Sequence, residues 1–150
     1  MNKSIYWHKS HNVTVLLYHL VFPAKYRKVV VSDNVEMIIK ETCLEIEKRY
    51  EIKFLEIGAD RDHVHFLVQT VPKNSISSLV QMIKSIITKE VFKRAPEVKK
   101  QLWGGEFWSD GFFASTVGRH ADERTMQNYV KNQGNPDYKA THKDYQLRLF

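Results

Sequence analysis

One stretch in the middle of the chain decides the fold, and it reads Asp60-Arg61-Asp62-His63-Val64-His65-Phe66-Leu67-Val68-Gln69. This composition is typical of a β-strand, in which successive side chains point to opposite faces of the sheet. His63 and His65 therefore share one face, and Val64, Phe66 and Val68 lie on the other. Two imidazoles side by side on a rigid strand can bind one metal ion. The alternative is that both are ordinary polar residues on the solvated face of an antiparallel strand.

Helix and strand signals on both sides place this stretch in a larger pattern. The strand 52–59 precedes it after a short turn, which predicts a hairpin. The other predicted elements are a strand 13–22, a helix 33–50 capped by Ser32 or Asp33, a helix opening at Asn74 and Ser75, an irregular segment 95–110, a strand 112–117 and a helix from about 122 to 134. This order predicts an α+β protein with the ferredoxin-like split βαβ fold. Two helices would cover one face of an antiparallel sheet, and an extra C-terminal helix would lie near the open face.

The composition indicates an ordinary globular chain that forms a single domain, 1–150. Of its 150 residues, 43% are hydrophobic and 27% are charged, which is enough for one proper core. The single cysteine, Cys43, excludes an internal disulfide and indicates a reducing compartment. The N-terminus lacks the apolar run of a signal peptide, and the longest apolar run, 13–22, is too short to span a bilayer. We therefore expect a cytoplasmic protein with no membrane partner.

The net charge of +6, with a pI near 9.4, favours a polyanionic partner such as nucleic acid. A basic protein with no special partner is the alternative. Candidate phosphate contacts are Lys25, Arg27, Lys28, Lys84, Lys93, Arg94, Lys99 and Lys100. Unpaired bases could stack on Trp103, Phe107 or Trp108. For each of these residues, a solvated basic face beside an aromatic core explains the pattern equally well.

The predicted C-terminal helix carries Tyr129 and Gln133, which lie on one face because they are four residues apart. Docked on the open face of the sheet, this helix would present a phenol and an amide oxygen to the histidine pair. Two imidazoles and one amide oxygen leave coordination positions free and suit Mg²⁺ or Mn²⁺. The alternative places Tyr129 in an apolar stripe with Met126 and Val130, and Gln133 at a solvated helix end.

This constellation suits phosphoryl transfer, in which Tyr129 attacks phosphorus and keeps the 5′ side as a phosphotyrosine. Such a bond conserves energy, so a free 3′-OH can reverse the step. No GxxxxGK[ST] loop is present in the sequence, and we expect no nucleotide cofactor. Lys131, His120 and Asp62 are alternative groups for activating the phenol. Tyr138 is a less suitable nucleophile, because Gly134 and Pro136 should end the helix before it.

Four blocks in this order resemble a known family. They are Tyr18-His19-Leu20-Val21-Phe22 with Lys25-Tyr26-Arg27, then Asp62-His63-Val64-His65, then residues 108–118, then Tyr129-Val130-Lys131-Asn132-Gln133. Together they look like the single-tyrosine HUH transposases of the smallest bacterial insertion sequences, the two-hundred/six-hundred-and-five class. The likeness runs over a core of about 12–135 and leaves a basic tail, 136–150. Phe112 and Phe113 stand where tyrosine is frequent in that family, and Arg61 where proline is common.

The resemblance implies an enzyme that cuts and rejoins single-stranded DNA at the ends of a mobile element. It implies His63, His65 and Gln133 as metal ligands and Tyr129 as the nucleophile. It also implies recognition of DNA hairpins and a homodimer in which the tyrosine helix of one subunit completes the site of the other. Two alternatives are a non-catalytic nucleic-acid-binding ferredoxin-like module and a related HUH nuclease of replication or plasmid transfer. The latter usually carries extra domains, for which 150 residues leave no room.

Overall fold

A computed structural model describes residues 7–8, 13–14, 16–103 and 105–117 of the chain. The predicted C-terminal helix and the tail lie outside these residues, and the division into a core of about 12–135 and a tail stays a prediction. In chain order the elements are β1 (Trp7–His8), β2 (Val13–Thr14), β3 (Leu16–Pro23), a 3₁₀ turn (Lys25–Arg27), α1 (Asp33–Arg49), β4 (Ile52–Asp60), β5 (His63–Thr70), α2 (Ile76–Arg94), α3 (Pro96–Gln101) and β6 (Phe113–Thr116).

The four strands β3 to β6 form one antiparallel sheet in the order β4-β5-β3-β6. With α1 between β3 and β4 and α2 between β5 and β6, this is the ferredoxin-like split βαβ arrangement that the sequence predicts. The short strands β1 and β2 pair with each other, Trp7 opposite Thr14. None of the described helices is long and apolar enough to cross a membrane.

The core lies between the sheet and the two long helices. Leu20, Phe22, Val64, Phe66 and Val68 point from β3 and β5 toward the apolar stripes of α1 and α2. The stripe of α1 contains Val35, Ile38, Ile39, Cys43 and Ile46, and that of α2 contains Leu79, Val80, Ile83, Ile87 and Val91, all buried. Burial of these side chains is the main favourable contribution to folding.

Helix α1 begins where the sequence places its cap, since the Ser32 hydroxyl accepts a hydrogen bond from the amide of Val35 at 3.2 Å. Ser75 caps α2 in the same way. The segment predicted to be irregular contains one further helix, α3. Pro96 stands in its first turn, where a missing N–H costs no hydrogen bond. The sequence prediction overlooked α3 because six residues are too few for a periodic pattern.

Candidate metal centre

The β4–β5 hairpin brings three potential metal ligands to the face of the sheet opposite the helices. Asp60 ends β4, His63 begins β5, and the two residues are paired in register across a two-residue turn. Directly opposite residues of antiparallel strands share a face. The alternation along β5 then adds His65 to the same face. This placement of the two histidines agrees with the sequence prediction, whereas Asp60 was not among the predicted ligands.

The three side chains converge on one point. The His63 and His65 rings lie 4.5 Å apart at an angle of 78°. Their Nε2 atoms are 3.0 and 3.6 Å from the same oxygen, Oδ2 of Asp60. One ligand atom from each residue lies within 4.8 Å of the other two. Two imidazoles and a carboxylate on one side of an ion leave other coordination positions open, which fits a catalytic divalent metal.

A second layer of charged groups orients His63. Its Nδ1 lies 2.6 Å from Oδ1 of Asp62, and Nε of Arg27 lies 3.5 Å from the other Asp62 oxygen. The contact with His63, assisted by the Arg27 charge, holds the pKa of Asp62 below its ordinary value. A proton shared between Nδ1 and the carboxylate favours the tautomer whose Nε2 lone pair is free to bind a metal.

The turn that carries Arg27 is docked on the hairpin by main-chain hydrogen bonds. The amide of Ala24 donates to the carbonyl of Asp62 at 2.8 Å, and that of Val31 donates to the carbonyl of Arg61 at 2.9 Å. Tyr26 and Arg27 adopt positive φ angles of 57° and 53°. For side chains other than glycine this region is uncommon and costs about 1 kcal/mol or more. The turn is thus held in an unfavourable conformation beside the candidate centre.

The protonation of His65 also suits metal binding. Burial, followed by the neighbouring charge of His63, lowers its pKa, although Asp60 acts in the opposite direction. Burial likewise lowers the pKa of His19, which lies on the same face. A neutral imidazole has a lone pair to give to a metal, so His65 is ready to coordinate at neutral pH.

Beyond the histidines, the same face contains two buried polar side chains. A bulge in β4 between Phe54 and Glu56 turns Glu56 to the face of Leu67. Glu56 is 3% exposed and Gln69 is fully buried. One carboxylate oxygen of Glu56 and both polar atoms of the Gln69 amide make no hydrogen bond within the described part of the chain. Burial raises the pKa of Glu56 to about 8. Neither residue was predicted as part of a site from the sequence, although Gln69 has the same strand parity as the histidines.

Most of the predicted phosphate contacts bind groups of the protein itself. Nζ of Lys25 lies 2.7 Å from the Glu106 carboxylate, and Nζ of Lys84 donates to the carbonyls of Ser109 and Gly111 at 2.8 and 2.9 Å. Three further contacts are the ion pair between Arg94 and Glu41, the ion pair between Arg27 and Asp62, and the hydrogen bond from Lys28 to the carbonyl of Gln101. Lys93, Lys99 and Lys100 have exposed side chains. Their role in DNA binding stays a prediction.

The predicted stacking residues have different exposures. Trp103 is 80% exposed. Trp108 is 5% exposed and packs against Phe22 and Phe107, with its indole N–H donating to the carbonyl of Lys84 at 3.3 Å. Phe107 is 1% exposed. Burial corrects the expectation for these two residues, because their faces are occupied by the core and are not available to a base. Tyr129 and Gln133 lie outside the described residues.

The fold and the site define a ferredoxin-like α+β protein with a candidate metal centre on the sheet. Comparison with known families identifies the family within this class. The family described as "Transposase IS200 like" matches residues 12–133. The chain therefore belongs to the IS200-like transposases, enzymes that cut and rejoin DNA.

Individual relatives agree with this assignment. The ISDra2 transposase TnpA of Deinococcus radiodurans is 28% identical over 118 residues, which are 79% of this chain and 84% of the relative. The transposase for insertion sequence element IS200 of Salmonella typhimurium is 27% identical over 116 residues, 77% of this chain and 75% of the relative.

Two solved structures share the fold. A transposase from Deinococcus radiodurans R1 superposes with a TM-score of 0.69 at 28% identity, covering 85% of this chain and 97% of that one. A REP-associated tyrosine transposase bound to a REP hairpin gives a TM-score of 0.52 at 11% identity, covering 84% and 70% of the two chains. The second likeness supports the fold alone.

Proposed function

We propose that this transposase cleaves and rejoins single-stranded DNA at the ends of an insertion sequence through a 5′-phosphotyrosine on Tyr129. The observation that carries the proposal is the convergence of His63 and His65 on Asp60, on the open face of the sheet. This arrangement provides metal ligands where a DNA strand can approach, and it lies in a chain whose family moves DNA.

The donor set fits Mg²⁺ or Mn²⁺. Two neutral imidazoles and a carboxylate give the site a net charge of −1, and an amide oxygen from Gln133 would complete four protein ligands. A divalent cation bound there supplies positive charge that stabilises the scissile phosphate in the transition state. Asp62 holds His63 in the required orientation, and Arg27 holds Asp62.

The remaining chemistry belongs to Tyr129. Its phenol oxygen forms a bond to phosphorus and gives up its proton, while the bond from phosphorus to the 3′ oxygen of the leaving strand breaks and that oxygen gains a proton. No water enters the phosphodiester, so the bond energy is kept in the phosphotyrosine. A 3′-OH that later occupies the place of the leaving group reverses the step and joins the strands.

We further propose that the DNA is presented with hairpins near the element ends, and that two copies of the chain form the working unit. The REP-associated transposase of the same fold is bound to a hairpin, and we propose the same kind of ligand for this chain. In the dimer, the helix with Tyr129 and Gln133 of one subunit would complete the histidine site of the other.

A covalent-adduct assay tests the proposal. The protein is mixed with single strands tiled across both DNA flanks of its gene, with Mn²⁺ or with EDTA, and run on a denaturing gel. We expect a shifted band that needs Mn²⁺ and disappears in Tyr129→Phe, whose DNA binding stays intact. Tyr138→Phe is the matched control and should form the adduct normally. An adduct that persists in Tyr129→Phe, or none from any tile, contradicts the proposal.

The ligand set has its own test. We expect Asp60→Ala and Gln133→Ala each to weaken Mn²⁺ binding by more than about 100-fold, because loss of a direct ligand should cost more than the loss of an outer partner. Calorimetric titration with Mn²⁺ measures both. If Asp60→Ala binds Mn²⁺ as the unaltered protein does, its carboxylate is not a ligand.

A further inference from the structure

The edge strand β6 places a phenylalanine beside the candidate metal centre. Phe113 pairs with Val21 of β3, and Val21 pairs in turn with His65 of β5. Residues directly opposite each other in antiparallel strands share a face. Phe113 and His65 therefore lie on the same open face, two strand spacings apart, or about 10 Å.

The exposure of Phe113 distinguishes it from the other phenylalanines of the sheet. Its side chain is 54% exposed, whereas Phe22 and Phe66, on the helix side, are 0% exposed. Val21, half-buried between the histidine and the phenylalanine, gives an apolar floor to the space between them. An aromatic ring beside an apolar floor is a surface that suits the flat face of a nucleobase.

The position of Phe113 also favours it over Trp103, although Trp103 is 80% exposed. Trp103 follows α3, and α3 packs on α2 in the helix layer. No strand register links Trp103 to the histidines. Phe113, in contrast, is tied to His65 through the hydrogen-bonded ladder of three strands, so its distance from the centre is fixed by the sheet.

We propose that Phe113 is a stacking platform for one unpaired base of the DNA strand, next to the phosphate that is cut. The inference rests on the proposed function, since it takes the scissile phosphate to lie at His63 and His65. Stacking on one base fixes how far the strand extends from the platform, and it thereby selects which phosphate reaches the histidines. Because every base has a π-face, this platform sets the register of the strand with little demand on the identity of the base.

The test combines one protein change with one missing base. Affinities are measured for short single strands from the flanks of the gene, each with one abasic site moved along the sequence, in EDTA so that no cleavage occurs. For the unaltered protein we expect one position at which the abasic site weakens binding about 5- to 150-fold. Phe113→Leu should weaken binding to the intact strand by a similar factor, and the abasic site at that position should then have no added effect.

Matched variants define the role of the ring. Phe113→Tyr keeps an aromatic face and should bind as the unaltered protein does. Leu44→Ala removes a side chain that is 51% exposed on α1, away from the open face, and should leave the whole abasic profile unchanged. Phe113→Val is a second non-aromatic variant that suits a strand, for use if Phe113→Leu unfolds.

Additive effects of the two changes at every position would overturn the stacking proposal, as would an abasic profile with no sensitive position. The adduct assay stays independent of this result. If an adduct forms but the effects of Phe113→Leu and of the abasic site are additive, only the stacking proposal is wrong. If the two effects are not additive and no adduct forms, the stacking proposal is supported and the phosphotyrosine mechanism is wrong.

Discussion

The two faces of β5 differ in what they contribute. The even-numbered residues Val64, Phe66 and Val68 are 0% exposed and lie in an apolar core with α1 and α2. The odd-numbered positions begin with His63 and His65 and end at Gln69, whose buried amide has no hydrogen-bond partner among the described residues. One strand therefore stabilises the fold with one set of alternate residues and builds the candidate site with the other.

The difference has an energetic consequence. An apolar side chain of this size contributes about 1.5–3 kcal/mol when it is buried. A buried polar group without a partner costs about 1–3 kcal/mol instead. Glu56 and Gln69 both contain such atoms. The helix face thus stabilises the protein, whereas Glu56 and Gln69 lower the stability gained on the opposite face, where Leu17, Leu55 and Leu67 are also buried.

Phe66→Ala should have the largest effect on stability. The Phe66 ring lies 5.0 Å from that of Phe22 and 5.8 Å from that of Phe54, and no part of its surface is exposed. Its removal leaves a cavity among these side chains, and we expect a loss of about 3–5 kcal/mol in the free energy of unfolding. Urea denaturation measures the loss. A change below about 1 kcal/mol would show that the helix face is not the main source of stability.

Glu56→Gln should stabilise the protein, and the gain should depend on pH. The pKa of Glu56 is raised by burial from 4.5 to about 8. Between these values the folded state holds a proton that the unfolded state has lost, so the free energy of unfolding falls as pH rises. The glutamine variant has no such proton, and we expect it to be more stable by about 3 kcal/mol at pH 7 and nearly equal at pH 4.

Thermal or urea unfolding at a series of pH values checks this prediction. Glu45→Gln is the matched control, because the Glu45 side chain on α1 is 67% exposed, and it should follow the pH profile of the unaltered protein. If Glu56→Gln is less stable than the unaltered protein at pH 7, the carboxylate has a stabilising role and the open face costs less than we infer.

Asp62→Asn should affect the metal rather than the fold. The variant keeps the size of the side chain but removes the charge that holds His63 through Nδ1 at 2.6 Å. Loss of such an outer partner costs about 10- to 100-fold in metal affinity. Titration with Mn²⁺ measures the change. Asp33→Asn is the control. The Asp33 carboxylate is 91% exposed and contacts Arg61, the neighbour of Asp62 in the β4–β5 turn, and the variant should bind Mn²⁺ normally.

The strands, the helices and the shared face of the histidines could be predicted because they depend on local periodicity. Alternation along β5 is a property of neighbouring residues, and so is the apolar stripe of α1. The role of Asp60 depends instead on the register of a hairpin, which pairs it with His63. The sequence predicts a short turn in this hairpin but not its register, so the third ligand was not predicted.

The contacts of the basic and aromatic residues could not be predicted in the same way. The positive charges of Lys25 and Arg94 predict contacts with DNA. In the structure both residues form ion pairs, with Glu106 and Glu41, that join distant parts of the chain. Trp108 is of a residue type that often stacks on bases. Its burial becomes visible only in the structure, where the 105–110 segment packs beside the end of β3. Tertiary contacts of this kind leave no periodic signal in the sequence.

Phe113→Leu should have the smallest effect on stability and thereby sharpens the contrast with Phe66. More than half of the Phe113 side chain is exposed at 54%, so a leucine leaves no cavity, and we expect the free energy of unfolding to change by less than about 0.5 kcal/mol. Urea denaturation beside Phe66→Leu, at a position that is 0% exposed, provides the comparison. A loss at Phe113 as large as that at Phe66 would mean that the ring serves the fold. A small loss together with weakened DNA binding would mean that the open face retains this aromatic side chain for its ligand.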